Sequence, residues 1–199
     1  MVSRLPGLLP SQLDADQAEL YSTITGGPRS GQAFSMMDEE GRLLGPFDAL
    51  LRAPALGSAV QQIGVQLRYH AVLAAREREL IILTVAAHWR SSYEWYAHAA
   101  VAREQELASE SELTALMARE VPASCSDRER AMLRVAEELL RDRSVAEDTY
   151  REARAHLDDT ELTEIVVCTG YYWLLAALLE TYQIGSPAPE VDPFGHGTG

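Results

Sequence analysis

Apolar residues recur at helical spacing along most of the chain, and no segment alternates with the period of two that a strand requires. The pattern therefore predicts an all-α protein of about eight helices. We expect one helical domain over residues 1–184, followed by a flexible Gly/Pro-rich tail over residues 185–199. The segments predicted to be helical are 14–25, 46–53, 56–69, 75–90, 91–105, a short helix after 109, two helices ending near 143 and 157, and 160–183.

Three of these helices carry the sequence signature of a capping box, a Ser followed three residues later by a Glu. The signature occurs at Ser109–Glu112, Ser126–Glu129 and Ser144–Glu147. We therefore expect each of these serines to start a helix.

The longest uncharged run, residues 165–179, lies in the last predicted helix. It is shorter than the roughly 20 residues that a membrane span needs. We expect it to be buried in the domain core or in a subunit interface. The first 13 residues contain one positive charge and two prolines, which is not the pattern of a signal peptide. These features predict a soluble cytoplasmic protein without a membrane partner.

The formal net charge of −13 disfavours nucleic acid and anionic membranes as partners. All 17 basic residues are arginine, so no lysine Schiff base can form, and lysine-dependent aldolase and pyridoxal mechanisms are excluded. The two cysteines, Cys125 and Cys168, form no CxxC motif, and we expect both to be reduced and buried thiols.

Polar residues interrupt the apolar pattern regularly between residues 76 and 105. Glu79 lies inside an otherwise apolar helix, and Ser91, Glu94 and His98 share one face of the next helix. A Glu94 carboxylate could hold one imidazole nitrogen of His98 and leave the other free to carry a proton. Other interpretations stay open at this point, because Ser91 to Glu94 also fits a capping box and a Glu–His pair often lies on a solvated face.

The same segment resembles the carboxymuconolactone decarboxylase and alkylhydroperoxidase D superfamily. The resemblance rests on Arg76-x-x-Glu79-Leu80, an apolar run, and Tyr93-Glu94-Trp95-x-x-His98-x-x-x-Ala102, and it extends more diffusely to Gly45-Pro46-Phe47 and to residues 128–172. It implies an alkylhydroperoxidase D-like helical bundle, a homotrimer or homohexamer, and a cofactor-free proton-transfer site. The peroxidase branch has a Cys-x-x-Cys motif where this chain has Ser91 and Glu94, so the resemblance does not imply thiol peroxidase activity.

These observations predict a cofactor-independent, decarboxylase-type lyase that acts on a small oxygenated carboxylic acid or lactone. His98, Glu94 and Glu79 are the expected catalytic residues, and no metal or organic cofactor is expected. The residues expected to bind the substrate are Ser91, Arg76 and Arg90. A hydrolase, dehydratase or cyclase with the same site, or a non-catalytic oligomer that binds a ligand, are the alternatives.

Overall fold

Helices account for all the regular secondary structure in the part of the chain that the computed structural model describes, residues 3–27, 34–188 and 194–195. An isolated backbone bridge pairs Met37 with Leu43. The all-α prediction is confirmed, with nine α-helices in this described part. They are α1 Ala15–Thr25, α2 Pro46–Leu50, α3 Pro54–Tyr69, α4 Ala75–Trp89, α5 Ser92–Glu104, α6 Glu110–Met117, α7 Asp127–Asp142, α8 Glu147–Arg154 and α9 Asp159–Tyr182.

Helix α4 forms the centre of the bundle, where it packs against α5, α6, α7 and α9. The side chains from Leu80 to Ala87 are all buried, so this stretch of α4 has no side that faces solvent. Glu79 directly precedes the stretch and is itself only 1% exposed.

Two of the three predicted capping boxes are confirmed. The side chains of Ser109 and Ser126 accept hydrogen bonds from the backbone N–H groups three residues later. The prediction for Ser144 is wrong, because α8 begins at Glu147 with Ala146 as its N-cap residue. Glu138 of α7 accepts the N–H of the N-cap residue Ala146 at 2.8 Å and the Thr149 hydroxyl at 2.6 Å, so α7 holds the start of α8.

Helix α3 packs through small residues on the face that it turns towards α1 and α2. Gly57 lies so close to α2 that a Cβ atom there would be 2.6 Å from the Leu50 carbonyl oxygen. Gly57 and Gly64 are buried, whereas Leu56 and Ile63 are exposed. The buried stripe continues to Leu67 and Arg68, at the end of the helix.

Helix α9 is long and apolar enough, by length and composition alone, to cross a membrane. Its inner face, including Ile165 and Tyr172, is buried against the other helices of the bundle. Its outer face carries exposed apolar side chains, of which Trp173 is 48% exposed. The predicted burial of the uncharged run in the domain core therefore holds for one side of this helix.

The expected tail contains one residue that packs on the domain. Phe194 is buried, and its ring lies 5.7 Å from that of Trp95 in an edge-to-face arrangement. At this position the structure differs from the flexible tail that we predicted. The remaining tail positions, 189–193 and 196–199, and part of the predicted loop, 28–33, lie outside the described residues.

Gly45 is the residue that allows the loop before α2 to approach α5. Its φ of +63° is in the left-handed region, where a side chain is disfavoured. A Cβ atom at this position would be 2.1 Å from Cζ of Tyr93, which is buried on α5. The contact fixes the Tyr93 ring against the start of α2.

We expect Gly45→Ala to lower the free energy of unfolding by roughly 2 kcal/mol or more, because it combines an unfavourable φ with a steric clash. Gly170→Ala is the matched control, since Gly170 lies in α9 with no atom near its potential Cβ. Replacing this helical glycine should stabilise the protein by up to about 1 kcal/mol. Urea denaturation of both variants measures the difference, and equal stabilities would contradict this account of Gly45.

Candidate active site

A tight corner between α4 and α5 brings the polar residues of the two helices together. Arg90 ends α4 in the left-handed conformation, with a φ of +55°. The N–H of Ser91 then donates to the Ala86 carbonyl at 2.8 Å, which is the closure typical of a left-handed helix end. The chain reverses here, so His98 of α5 lies beside Glu79 of α4, 19 residues earlier.

Glu79 and His98 form a short hydrogen bond in the interior of the bundle. Nδ1 of His98 lies 2.7 Å from Oε2 of Glu79, and the two residues are 5% and 1% exposed, respectively. The other oxygen, Oε1, is 4.0 Å from the Arg68 guanidinium and 3.9 Å from that of Arg78. The Glu79 carboxylate is therefore compensated by three neighbouring side chains.

These contacts determine which group of the pair carries the charge. Burial alone would raise the pKa of Glu79, but His98 and the guanidinium groups of Arg68 and Arg78 outweigh it and lower the pKa. Burial lowers the pKa of His98, although Glu79 acts in the opposite direction. At neutral pH we therefore assign an ionised Glu79 and a neutral His98. In this tautomer Nδ1 donates its proton to Glu79, and Nε2 has a free lone pair.

The expected pairing of Glu94 with His98 is corrected by the structure, in which His98 is held by Glu79. Glu94 is 3% exposed, and neither of its carboxyl oxygens has a hydrogen-bond partner. Burial raises the pKa of Glu94 to about 8, although the nearby Ser91 hydroxyl opposes this rise. Glu94 is therefore mainly a neutral carboxylic acid at pH 7.

The capping-box interpretation of Ser91 to Glu94 is also not supported. Ser91 is the N-cap residue of α5, but its side chain caps no backbone N–H group, and its hydroxyl has no hydrogen-bond partner. Groups that form a capping box satisfy each other's hydrogen bonds. The hydroxyl of Ser91 and the carboxyl of Glu94 are instead left available.

Glu94 and His98 line a cavity of about 40 Å³ between α2, α3, α5 and α9. One water needs about 10–15 Å³ of such volume, so the cavity has room for a few water molecules or a small ligand. The ring of Tyr172 meets that of His98 edge to face at 5.0 Å. The other lining residues are Arg68 and the largely apolar set Phe34, Pro46, Phe47, Leu50, Tyr93, Ala97, Tyr171 and Leu175.

The two arginines expected to bind the substrate lie elsewhere. Arg76 donates to the carboxylates of Glu112 and Glu129, each at 2.7 Å. The guanidinium of Arg90 donates to the Phe194 carbonyl oxygen at 2.6 Å. Neither residue lines the cavity, since each side chain is directed to a structural contact.

Arg68 is the cavity residue that sequence reasoning missed. Arg68 lies 11 residues after Gly57 and four residues after Gly64. These spacings place it on the buried stripe of α3. A charged residue on such a stripe is the signal that could have identified it. No group of three His, Cys, Asp or Glu side chains in the described ranges is placed to hold a metal ion.

Comparison with known proteins supports this view of the helix pair. Residues 54–138, which contain Arg68, Glu79, Glu94 and His98, match the carboxymuconolactone decarboxylase family. No curated protein sequence is significantly similar to the chain.

Solved structures show the same fold at low sequence identity. An uncharacterised peroxidase-related protein from Ralstonia eutropha JMP134, with an alkylhydroperoxidase AhpD core, has a TM-score of 0.72 at 20% identity; the match covers 94% of this chain and 93% of that one. A peroxidase-related protein from Silicibacter sp. TM1040 has a TM-score of 0.69 at 17% identity, covering 92% and 90%.

A third similar structure is a protein of unknown function from Agrobacterium tumefaciens, ATU0492, proposed as an antioxidant defence protein AhpD. Its TM-score is 0.62 at 21% identity, covering 68% of this chain and 93% of that one. Residues 54–138 thus match the model of the carboxymuconolactone decarboxylase family, and the helices of the chain adopt the alkylhydroperoxidase D-like fold.

Proposed function

We propose that this protein is a cofactor-independent proton-transfer enzyme, a lyase of the decarboxylase type that acts on a small oxygenated carboxylic acid or lactone. One observation carries the proposal. A histidine held by a buried carboxylate and a buried carboxyl group without a hydrogen-bond partner line the same small cavity, where burial lowers the pKa of His98 and raises that of Glu94. Such a pair provides a base and an acid at the same pH.

The proposed decarboxylation uses the two groups in different ways. The bond between the substrate carbon and its carboxylate breaks, CO₂ leaves, and the electron pair moves into the adjacent lactone or ketone as an enolate. Glu94 then gives its proton to the carbanion carbon and regains one from solvent, so that one proton is consumed for each CO₂ released. His98 Nε2 serves as the base when the substrate must first lose a proton, while Glu79 orients and polarises the ring.

The same pair also supports a dehydratase or a cyclase as a second candidate. In a dehydration, His98 would remove a proton from carbon and Glu94 would protonate the departing hydroxyl group. The simultaneous presence of an unprotonated base and a protonated acid favours this alternative over a hydrolase. In all these reactions the apolar lining would strengthen electrostatic interactions with the developing charge.

We further propose that the chain is not a thiol peroxidase. Ser91 and Glu94 occupy the positions of the motif cysteines, and Cys125 and Cys168 are both buried and free. Burial raises the pKa of each of these thiols, which disfavours the reactive thiolate.

The exposed apolar side of α9, with Val166, Val167, Trp173 and Leu174, supports a homotrimer or homohexamer, which we propose as the working state. We propose the cytoplasm as its location.

The tautomer of His98 is a direct test of the proposed base. At neutral pH, ¹⁵N spectra of histidine-labelled protein should show Nδ1 protonated and Nε2 unprotonated. Glu79→Gln should weaken this preference, because an amide accepts the Nδ1 proton less strongly than a carboxylate does. Glu77→Gln is the matched control on the same helix, since Glu77 instead pairs with Arg128.

His98→Ala should reduce turnover by about 10²- to 10⁴-fold, the usual contribution of a positioned acid or base. The first substrates to assay are small keto acids with one carboxylate, by CO₂ release. An imidazolium at pH 7, or a His98→Ala variant with unchanged turnover of a confirmed substrate, would show that the pair is structural.

The protonation of Glu94 predicts a specific dependence of stability on pH. Its pKa is about 8 in the folded protein and about 4.5 when unfolded, so the folded state holds the proton more tightly. The stabilising contribution should therefore be complete below about pH 4.5, decline as pH rises towards about 8, and be absent above that value. Turnover should also fall as pH rises through about 8, because the proton donor is lost.

Urea denaturation between pH 5 and pH 9 measures this decline in stability, because this range spans the Glu94 pKa of about 8. Glu94→Gln should reduce the slope, because glutamine is neutral throughout the range. An unchanged slope in this variant would mean that Glu94 titrates normally and is not the acid.

We expect no turnover of hydroperoxide, with or without a dithiol reductant, since the chain lacks the cysteine pair. Consumption of tert-butyl hydroperoxide is the measurement, and Cys125→Ser and Cys168→Ser serve as the paired variants. Turnover that disappears in either variant would establish thiol chemistry and refute this part of the proposal.

A further inference from the structure

Arg68 carries the only fixed charge among the described residues that line the cavity. Glu94 is neutral below about pH 8, and His98 is neutral at pH 7. The Glu79 carboxylate lies behind His98 and is not part of the lining. A ligand that enters this cavity therefore meets one guanidinium group in surroundings that are otherwise uncharged.

The guanidinium of Arg68 has unused hydrogen-bonding capacity. Its side chain is 8% exposed, and the distance to Glu79 Oε1 is 4.0 Å, which is too long for a hydrogen bond. Within the described ranges Arg68 donates no hydrogen bond, although a guanidinium has five N–H donors. A ligand with acceptor oxygens could use these donors in a charge-assisted hydrogen bond.

The negative charge of the whole chain strengthens the argument that Arg68 binds an anionic ligand. At −13 the protein repels anions in general, so an anionic ligand needs a local cation. The other two arginines considered for this role are occupied by Glu112, Glu129 and the Phe194 carbonyl. Arg68 is the arginine that combines a largely buried side chain with a position in the cavity lining.

The remaining lining limits the ligand to a single negative charge. In the described part of the chain, the lining contains one cationic side chain, and its other polar groups, among them Tyr93 and Tyr172, are neutral. A second carboxylate would therefore be desolvated without an opposite charge to compensate it. The cavity of about 40 Å³ also restricts the ligand to a small molecule.

We propose that Arg68 binds the carboxylate of a small monocarboxylate, whose apolar part packs against Phe47, Leu50 and Leu175, and that the cavity discriminates against dicarboxylates. This inference rests on the proposed function and narrows its substrate class. Arg68 is then a specificity-determining residue, because it selects for one carboxylate and positions it beside His98 and Glu94.

Binding of three probes of similar size tests the inference without any turnover. The probes are butyrate (one charge), succinate (two charges) and butyramide (no charge), titrated into the full-length protein and followed by NMR. The experiment is run at about pH 7, where succinate carries both charges, and this pH lies below the Glu94 pKa of about 8. We expect butyrate to bind roughly tenfold or more tightly than either other probe, because a charge-assisted hydrogen bond is worth about a tenfold change in affinity.

Variants of Arg68 separate a binding role from a structural one. Arg68→Met should weaken butyrate binding by roughly tenfold or more, whereas Arg68→Lys, which keeps the charge, should lose less. Arg134→Met is the control for removing one positive charge, since Arg134 is exposed and pairs with Glu152 on the surface. Circular dichroism establishes that each variant is folded. If Arg68→Met does not fold, Arg68→Lys and the three probes on the unmodified protein still decide the question.

Three results would overturn the inference. These are the absence of butyrate binding, succinate binding as tight as that of butyrate, and butyrate binding that is unchanged in a folded Arg68→Met variant. The His98 tautomer and the His98→Ala activity do not depend on these measurements. Failure of the anion site is therefore distinguishable from failure of the proton-transfer proposal.

Discussion

The burial of the Glu79 carboxylate is the constraint on which the arrangement of the central helices depends. An ionised carboxylate inside a bundle costs several kcal/mol unless hydrogen bonds and opposite charges compensate it. The compensation comes from His98 on α5, Arg68 on α3 and Arg78 on α4 itself. Any shift of α3 or α5 would remove part of it. The same contacts that make the buried charge tolerable also fix the position of the imidazole ring in the cavity.

Two kinds of polar cluster can be distinguished by how completely their hydrogen bonds are satisfied. Near the start of α4, Arg76 is shared by Glu112 and Glu129, and Arg128 is shared by Glu77 and Glu161. These clusters tie α4 to α6, α7 and α9, and each of these guanidinium groups lies within hydrogen-bonding distance of both its carboxylates. Around the cavity, by contrast, Ser91, Tyr93 and Glu94 retain polar atoms without partners. Complete satisfaction is expected of structural networks, and unsatisfied buried groups are a mark of functional sites.

The sequence was sufficient to predict the helical class, most helix boundaries and the two residues of the buried pair, Glu79 and His98. It failed on the partner of His98, because a spacing of four residues suggests contact within one helix, whereas the actual hydrogen bond crosses from α5 to α4. Periodicity along a single helix contains no information about which side chain of a neighbouring helix is nearer. The same limit explains the choice of Arg76 and Arg90 over Arg68, since distance to the site along the chain is a poor guide to distance in space.

The error at Ser144 has a different origin. The local signature for a cap was present, but Glu138 of the preceding helix binds the N-cap residue Ala146 and the Thr149 hydroxyl, and α8 starts at this contact. A tertiary contact thus replaced a local one. Where no such competitor exists, at Ser109 and Ser126, the local rule was sufficient.

The exclusive use of arginine has a consequence for the proton inventory of the site. A buried lysine beside Glu79 could transfer its proton to the carboxylate and leave two neutral groups, which would remove the counter-charge of the histidine. Arginine does not lose its proton under conditions in which proteins remain folded. With Arg68 and Arg78 as neighbours, Glu79 cannot be neutralised in this way, and its lowered pKa keeps a negative charge behind the imidazole at neutral pH. His98 and Glu94 are then the cavity groups that can gain or lose a proton near neutral pH. A reaction in the cavity would have to transfer its protons through these two side chains.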